Sequence, residues 1–213
     1  MERQERVNRR YTKRRNRFYA LGLCLAWLCL LAGGAAGAQP PDPAEQLGRI
    51  LDDVLAELRD KSLDNATRRA DIERIVYENF DFRVMSQRAL STNWKKATEK
   101  EKQQFIDKFS KLLLATYIGR IEAYTDERVE VLGARVKGSR AEVSTIIVSG
   151  DVDIPIRYKM RLKGGKWLIY DVVIEEVSLI RNYRSSYRDI VKKEGIGGLL
   201  TRMDEKLARL NAS

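Results

Sequence analysis

The chain has 213 residues, with 40 basic side chains, 30 acidic ones and no histidine. Its two cysteines, Cys24 and Cys29, both lie near the N-terminus, in a segment that export would remove. A mature chain without thiol or imidazole has no Ser-His-Asp or Cys-His catalysis, no disulfide and none of the usual zinc sites.

Residues 1–38 have the pattern of an export signal. Eight bases and two acids come first, an apolar run follows over 18–32, and Ala-Gly-Ala at 36–38 fits a small-x-small cleavage signal. The apolar run is short for a membrane span, which needs about 20 residues. We therefore predict a signal peptide at 1–38, cleaved near Ala38, of either the Sec or the twin-arginine type.

Removal of the signal changes the charge of the chain. It leaves 32 bases and 28 acids, so residues 39–213 carry a net charge of +4 instead of +10. A balance this small does not favour nucleic acid as a partner. The remaining length is sufficient for one core that needs no disulfide, so we predict a single domain at 39–213.

The first half of this domain, 42–124, is predicted to be helical. Apolar residues recur at helical spacing in four stretches: 42–60, 65–79, 84–90 and 98–124. Asn65 is expected to cap the second helix. Thr98 and Glu101 form a capping-box signature at the start of the fourth.

After Asp126 the apolar period changes from 3.6 to 2, which indicates strands. Four strands are predicted: 129–136, 141–148, 154–162 and 167–174. Gly164-Gly165 supplies a two-residue turn between the last two. In that register Leu162 faces Trp167 and Met160 faces Ile169. The same register places Tyr158 opposite Asp171 and Ile156 opposite Val173.

The stretch 167–187 begins as a strand that is apolar on both faces. One face is predicted to hold Trp167, Ile169 and Val173, and the other Leu168, Tyr170 and Val172. The stretch then passes through Glu175 and Glu176 into a helical region, 176–211, that a group of glycines near 195 interrupts. We interpret this stretch as one wall of an apolar cavity.

Helices, then a sheet over 128–174, then further helices predict an α+β fold. We expect an antiparallel sheet of about four strands packed against N- and C-terminal helices, with an apolar pocket between them. Asp171 leaves two alternatives open. It is a general acid or base with a raised pKa in that pocket, or a structural carboxylate bonded to Tyr158, an arginine or a loop amide. The lack of a second catalytic group favours the structural role.

Four segments, in this order and spacing, resemble the MlaC family: FDFRVMSQRAL, WKKATEKEKQQFIDKFSKLLLATY, IPIRYKM and WLIYDVVIEEVSLIRNYRSSY. These are periplasmic phospholipid-binding proteins of the Mla lipid-transport pathway, also called toluene-tolerance proteins. The resemblance covers roughly Leu47 to Leu210. It implies a nuclear-transport-factor-like sheet, a deep pocket for acyl tails and a headgroup outside it. It also implies a monomer without cofactor or catalytic residues, which meets an inner-membrane ABC-type lipid transporter complex and an outer-membrane lipoprotein–porin complex.

Candidate lipid contacts come from the apolar sides of the sheet and the flanking helices. They are Met85, Tyr117, Ile121, Val148, Ile156, Tyr158, Leu168, Val172, Val177, Leu179 and Tyr183. Ordinary core packing is the alternative for each of them. Candidate contacts for a headgroup or a partner protein are the bases Arg181, Arg184, Arg188 and Lys192, with a solvated helix face as the alternative. Two other functions remain open: an enzyme of the same sheet architecture that uses Asp171 on a small apolar substrate, and a periplasmic chaperone.

Overall fold

The structure, a computed structural model, describes residues 40–122, 128–149 and 152–211. The predicted signal peptide lies outside the described residues. The helices are α1 (Pro43–Arg59), α2 (Asn65–Asn79), α3 (Phe82–Leu90), a short 3-10 helix (Ser91–Lys95), α4 (Glu99–Glu122) and α5 (Leu179–Asn211). The strands are β1 (Arg128–Lys137), β2 (Arg140–Ser149), β3 (Val152–Lys163), β4 (Lys166–Ile174) and β5 (Val177–Ser178). The α+β prediction is confirmed. Within the described ranges, no helix is long and apolar enough to cross a membrane.

The helix starts follow from side chains that accept hydrogen bonds from first-turn amides. Asp64, not the expected Asn65, caps α2, because its carboxylate lies 2.8 Å from the amide of Ala66. The capping box of α4 is confirmed. The Thr98 amide donates to the Glu101 carboxylate at 2.8 Å, and the Glu101 amide donates to the Thr98 hydroxyl at 3.2 Å.

Gly195 interrupts α5 at the position where the sequence predicts a break. Its φ of 71° lies in the left-handed region, which residues with a Cβ rarely adopt, and it divides α5 into two helical segments. The predicted end of α4 near Tyr124 falls outside the described residues.

In the part of the chain that the structure describes, the sheet has five antiparallel strands in the order β1-β2-β3-β4-β5, one more than the sequence predicts. The additional strand, β5, has only two residues. The turn at Gly164-Gly165 and the first two predicted pairs, Leu162 with Trp167 and Met160 with Ile169, are confirmed.

Beyond these pairs the predicted register is wrong because β4 contains a bulge. Lys159 pairs with Asp171, so Tyr170 is an extra residue on β4. Tyr158 then pairs with Val172, and Ile156 with Ile174. Because of the bulge, the two predicted faces of β4 are also wrong. Val172, rather than Val173, shares a buried cluster with Trp167 and Ile169.

Among the described residues, two apolar clusters form the core. One packs α1 against the sheet through residues such as Leu47, Val143 and Trp167. The other joins α3, α4 and α5 and contains Phe109 and Tyr183, whose rings meet edge to face at 5.2 Å. Members of both clusters line the cavity described next.

Candidate functional site

A cavity of about 430 Å³ lies between the sheet, α1, and the helices α3 and α4. This volume is within the range of small-molecule sites, which are mostly apolar with a few polar groups. The apolar pocket that the sequence predicts between sheet and helices is therefore present, and the protein interior is not filled by its own side chains.

Helix α1 forms one wall of the cavity. Its apolar stripe lines the space with Leu47, Ile50, Leu51, Val54, Leu55 and Leu58. Buried hydrogen bonds fix its N-terminal end: the Gln46 amide group donates to the Trp167 carbonyl at 2.7 Å and accepts from the Trp167 amide at 3.0 Å. At the other end, the Arg68 guanidinium donates to the carbonyls of Glu57 and Asp60. Both ends of this wall are thus fixed to other elements.

The sheet forms the opposite wall with side chains from its inward face. These are Val129, Ile147, Ile154, Ile156, Tyr158, Ile169, Val172 and Ile174. Side chains alternate along a strand, so Ile169 and Val172, three positions apart, would normally lie on opposite faces. The bulge at Tyr170 places both on the cavity side.

Helices α3 and α4 close the space between these walls with Phe82, Met85, Leu113, Leu114, Tyr117, Arg120 and Ile121. Burial raises the pKa of Tyr117, and the nearby positive charge of Arg120 offsets part of that rise. The Arg120 guanidinium carbon lies 5.8 Å from the centre of the Tyr117 ring, within the distance of a cation–π contact.

The structure places seven of the eleven candidate lipid contacts in the cavity wall: Met85, Tyr117, Ile121, Ile156, Tyr158, Val172 and Leu179. The other four lie elsewhere. Val148 and Leu168 are neighbours in sequence of inward-facing residues and so lie on the other face of the sheet. Val177 is 59% exposed on β5. Tyr183 is buried in the aromatic cluster between α4 and α5.

Sequence reasoning missed the contribution of α1. Its apolar stripe was evident, but such a stripe normally indicates packing against a core, and nothing local shows that a cavity lies beneath it. Ile174 and Glu175, which follow Val172 at the end of β4, were also missed, because the sequence does not show that the cavity wall extends to the end of this strand and into the turn after it.

None of the four candidate bases lines the cavity. Arg184 has a structural contact, because its Nε donates to the Arg88 carbonyl at 2.8 Å and joins α5 to α3. Arg188 lies 3.5 Å from Asp189, and Arg181 and Lys192 are exposed on α5. A second hollow, of about 480 Å³, lies between α4 and α5 and has more polar walls, which include Tyr183 and Arg202.

Asp171 lies outside the cavity wall and stabilises the start of α5. Its carboxylate accepts hydrogen bonds from the Ser178 hydroxyl at 2.8 Å and from the Ile180 amide at 3.2 Å, and Lys159 lies 3.8 Å away. A carboxylate at a helix N-terminus pairs with otherwise unsatisfied amides and with the helix dipole. These contacts are those of a structural carboxylate.

An α+β shell around an apolar cavity of this size is the architecture of a protein that encloses an apolar ligand. A sequence model of the MlaC protein family matches residues 49–205, and the chain belongs to the MlaC family.

Individual relatives and a solved structure agree with this assignment. The chain is 22% identical over 141 residues to the intermembrane phospholipid transport system binding protein MlaC of Haemophilus influenzae, which covers 63% of this chain. It is 24% identical over 103 residues, 47% of its length, to a toluene tolerance protein of Pseudomonas putida. The chain spans 65% and 48% of the lengths of these two relatives. A phospholipid-binding protein from Ralstonia solanacearum, solved in complex with a phospholipid, superposes with a TM-score of 0.75 at 25% identity; the match covers 80% of this chain and 99% of that one.

Proposed function

We propose that this protein is a periplasmic phospholipid carrier that encloses acyl chains in its cavity. In this proposal it moves lipid between outer- and inner-membrane complexes of the Mla pathway and so helps to maintain outer-membrane lipid asymmetry. The apolar cavity between α1 and the sheet carries the proposal. Membership of the MlaC family and the phospholipid bound to the similar Ralstonia protein support it.

The energetics of lipid transfer explain why such a cavity serves a carrier. Each methylene exposed to water costs about 0.8 kcal/mol, so some thirty methylenes cost roughly 24 kcal/mol. That sum exceeds the practical ceiling of non-covalent affinity. A bilayer already buries the same surface, so transfer from membrane to cavity is a small difference between large terms. A carrier of this kind can therefore both load and unload.

The proposed location and partners rest on the sequence. The pattern at 1–38 supports export, and 39–213 would then be one monomeric domain in the periplasm. The proposed partners are an inner-membrane ABC-type lipid transporter complex and an outer-membrane lipoprotein–porin complex. Arg181, Arg188 and Lys192 are the bases that would meet acidic surfaces of these partners, because all three are exposed on α5.

Lipid analysis of the protein purified from cells without harsh detergent tests the carrier function. We expect native mass spectrometry to show phospholipid at one molecule per chain, and we expect the loaded protein to release it to acceptor vesicles. Protein without bound lipid that also fails to take lipid from donor vesicles would refute the carrier function.

The same preparation separates the carrier from the two alternatives. The position of Asp171 outside the cavity wall, with hydrogen bonds to Ser178 and Ile180, supports a non-enzymatic role. We expect Asp171→Asn to lose some stability and to keep its lipid. A variant that folds as stably as the wild type but no longer processes or retains ligand would favour the enzyme. A protein that prevents client aggregation and holds no lipid would favour the chaperone.

A further inference from the structure

The charged residues of the cavity wall mark its mouth. Within the described ranges, Arg120 and Glu175 are the only lining residues with charged side chains, and they are also the only exposed ones. Leu47 and Ile169, which line the same space, are 0% and 1% exposed. A ligand with its apolar part inside the cavity would therefore leave its polar end at a rim that carries one positive and one negative side chain.

Arg120 is oriented and has no carboxylate partner in the part of the chain that the structure describes. It lies near the end of α4, against the Tyr117 ring. The nearest charged neighbour in sequence, Glu122, is already engaged, because Arg69 donates to both of its oxygens at 2.7 and 2.8 Å. A guanidinium in a cation–π contact keeps its N–H groups free for a phosphate.

Glu175 lies in a backbone conformation that L-residues rarely adopt. Ile174 pairs with Val177, so Glu175 and Glu176 form a two-residue turn, and their φ angles are 46° and 66°. Such turns favour asparagine and glycine. Glu176 has a visible role, because its carboxylate lies 2.8 Å from the Arg157 guanidinium.

The Glu175 carboxylate has no hydrogen-bond or ion-pair partner among the described residues, and Glu175 borders the cavity. A strained position that carries an unused charge at a binding site indicates a functional side chain.

We propose that Arg120 and Glu175 recognise a zwitterionic headgroup that contains an amine. Arg120 binds the phosphate of the enclosed lipid, and Glu175 binds its ammonium group. This inference rests on the proposed function. An anionic headgroup with the same tails satisfies Arg120 but is repelled by Glu175, and a diacylglycerol gives Arg120 nothing to bind. The mouth therefore selects the headgroup, while the cavity binds the tails.

Competition between lipids with identical tails tests the role of Glu175. The full mature chain is equilibrated with vesicles of equimolar dioleoyl phosphatidylethanolamine and dioleoyl phosphatidylglycerol, and bound lipid is identified by native mass spectrometry. We expect about two- to five-fold enrichment of the ethanolamine lipid, the range that one exposed charge contact provides. Glu175→Gln should return the ratio to that of the vesicles. Glu176→Gln, the same charge change one position away, should keep the wild-type ratio.

A second competition, between dioleoyl phosphatidylethanolamine and dioleoylglycerol, tests Arg120. Arg120→Gln should lose the preference for the phospholipid, whereas Lys100→Gln, in the first turn of the same helix, should retain it. Equal headgroup ratios in the wild type and Glu175→Gln, at one lipid per chain, would overturn the headgroup inference and leave the carrier function intact. A wild type that binds none of these lipids would refute the carrier function itself.

Discussion

Glu175 holds a left-handed backbone conformation in which its Cβ crowds the following carbonyl group. Glycine has no Cβ, so Glu175→Gly should raise the free energy of unfolding by about 0.5–1 kcal/mol. Urea denaturation measures this change. Glu175→Ala removes the carboxylate but keeps the Cβ and should show no such gain. A glycine variant less stable than the wild type would contradict the strain that we assign to this turn.

Tyr187 has a buried hydroxyl with no hydrogen-bond partner among the described residues. Such a group costs about 1 kcal/mol or more, so Tyr187→Phe should stabilise the protein by about that amount at pH 7. Tyr77→Phe should not stabilise the protein. Tyr77 is 43% exposed, and its hydroxyl lies 3.2 Å from that of Ser110. Chemical denaturation distinguishes the two, and a loss of stability in Tyr187→Phe would reveal a partner for the hydroxyl.

Tyr187 also makes the free energy of unfolding depend on pH in the alkaline range. Burial raises the folded-state pKa of Tyr187 above its unfolded value near 10, because the phenolate is disfavoured in an apolar site. The contribution of Tyr187 to the free energy of unfolding is fully present below pH 10 and is lost as the pH rises above 10. The unfolding free energy of Tyr187→Phe should therefore fall less steeply above pH 10 than that of the wild type. Part of the decline will remain in this variant, because burial also raises the pKa values of Tyr117 and Tyr183.

Among the elements of the cavity wall, helix α1 is hydrogen-bonded to the sheet by one side chain, that of Gln46. The Gln46 side chain satisfies both the amide and the carbonyl of Trp167, and all these groups are buried. Gln46→Ala leaves two buried backbone groups unpaired and should lower the unfolding free energy by about 2–3 kcal/mol. Hydrogen exchange of the α1 amides should become faster. Gln87→Ala, at an exposed position of α3, is the control, and equal exchange rates in both variants would contradict this role of Gln46.

The elements with a strong period or a specific signature could be predicted from sequence. The α1 stripe, the capping box at Thr98, the glycine turn before β4 and the break at Gly195 each have a local physical cause. The bulge at Tyr170 has no such signature. In a strand that is apolar on both faces, a shift of one residue leaves the pattern of burial almost unchanged, so sequence alone does not fix the register.

In the candidate site, too, some positions could be predicted from the sequence and others could not. Residues of β3 such as Ile156 and Tyr158 were placed in the wall because strict alternation in that strand defines its two faces. Val148, Leu168 and Val177 were misplaced. Without the tertiary structure, the sequence does not show how deeply each side chain is buried or on which face of the sheet it lies.

As a carrier, the molecule should lose its ligand when a charge is placed in the cavity wall. Leu179 is the first residue of α5, where the helix dipole favours a carboxylate, so Leu179→Asp should fold with little loss of stability. We expect its bound phospholipid to fall from one per chain to none, because the carboxylate cannot be buried against acyl chains. Val177→Asp, two positions away and 59% exposed in the wild type, should keep its lipid. Lipid-to-protein ratios after gentle purification measure both. Full lipid content in Leu179→Asp would remove this residue from the site.

The location of acyl chains in a crystal of the loaded protein shows whether the cavity between α1 and the sheet encloses them. Phospholipid with brominated tails gives anomalous scattering that marks the chains without reference to the protein. We expect bromine peaks inside this cavity, near Leu47, Met85 and Val172. Peaks in the hollow between α4 and α5, or an empty cavity in protein that carries lipid, would contradict it.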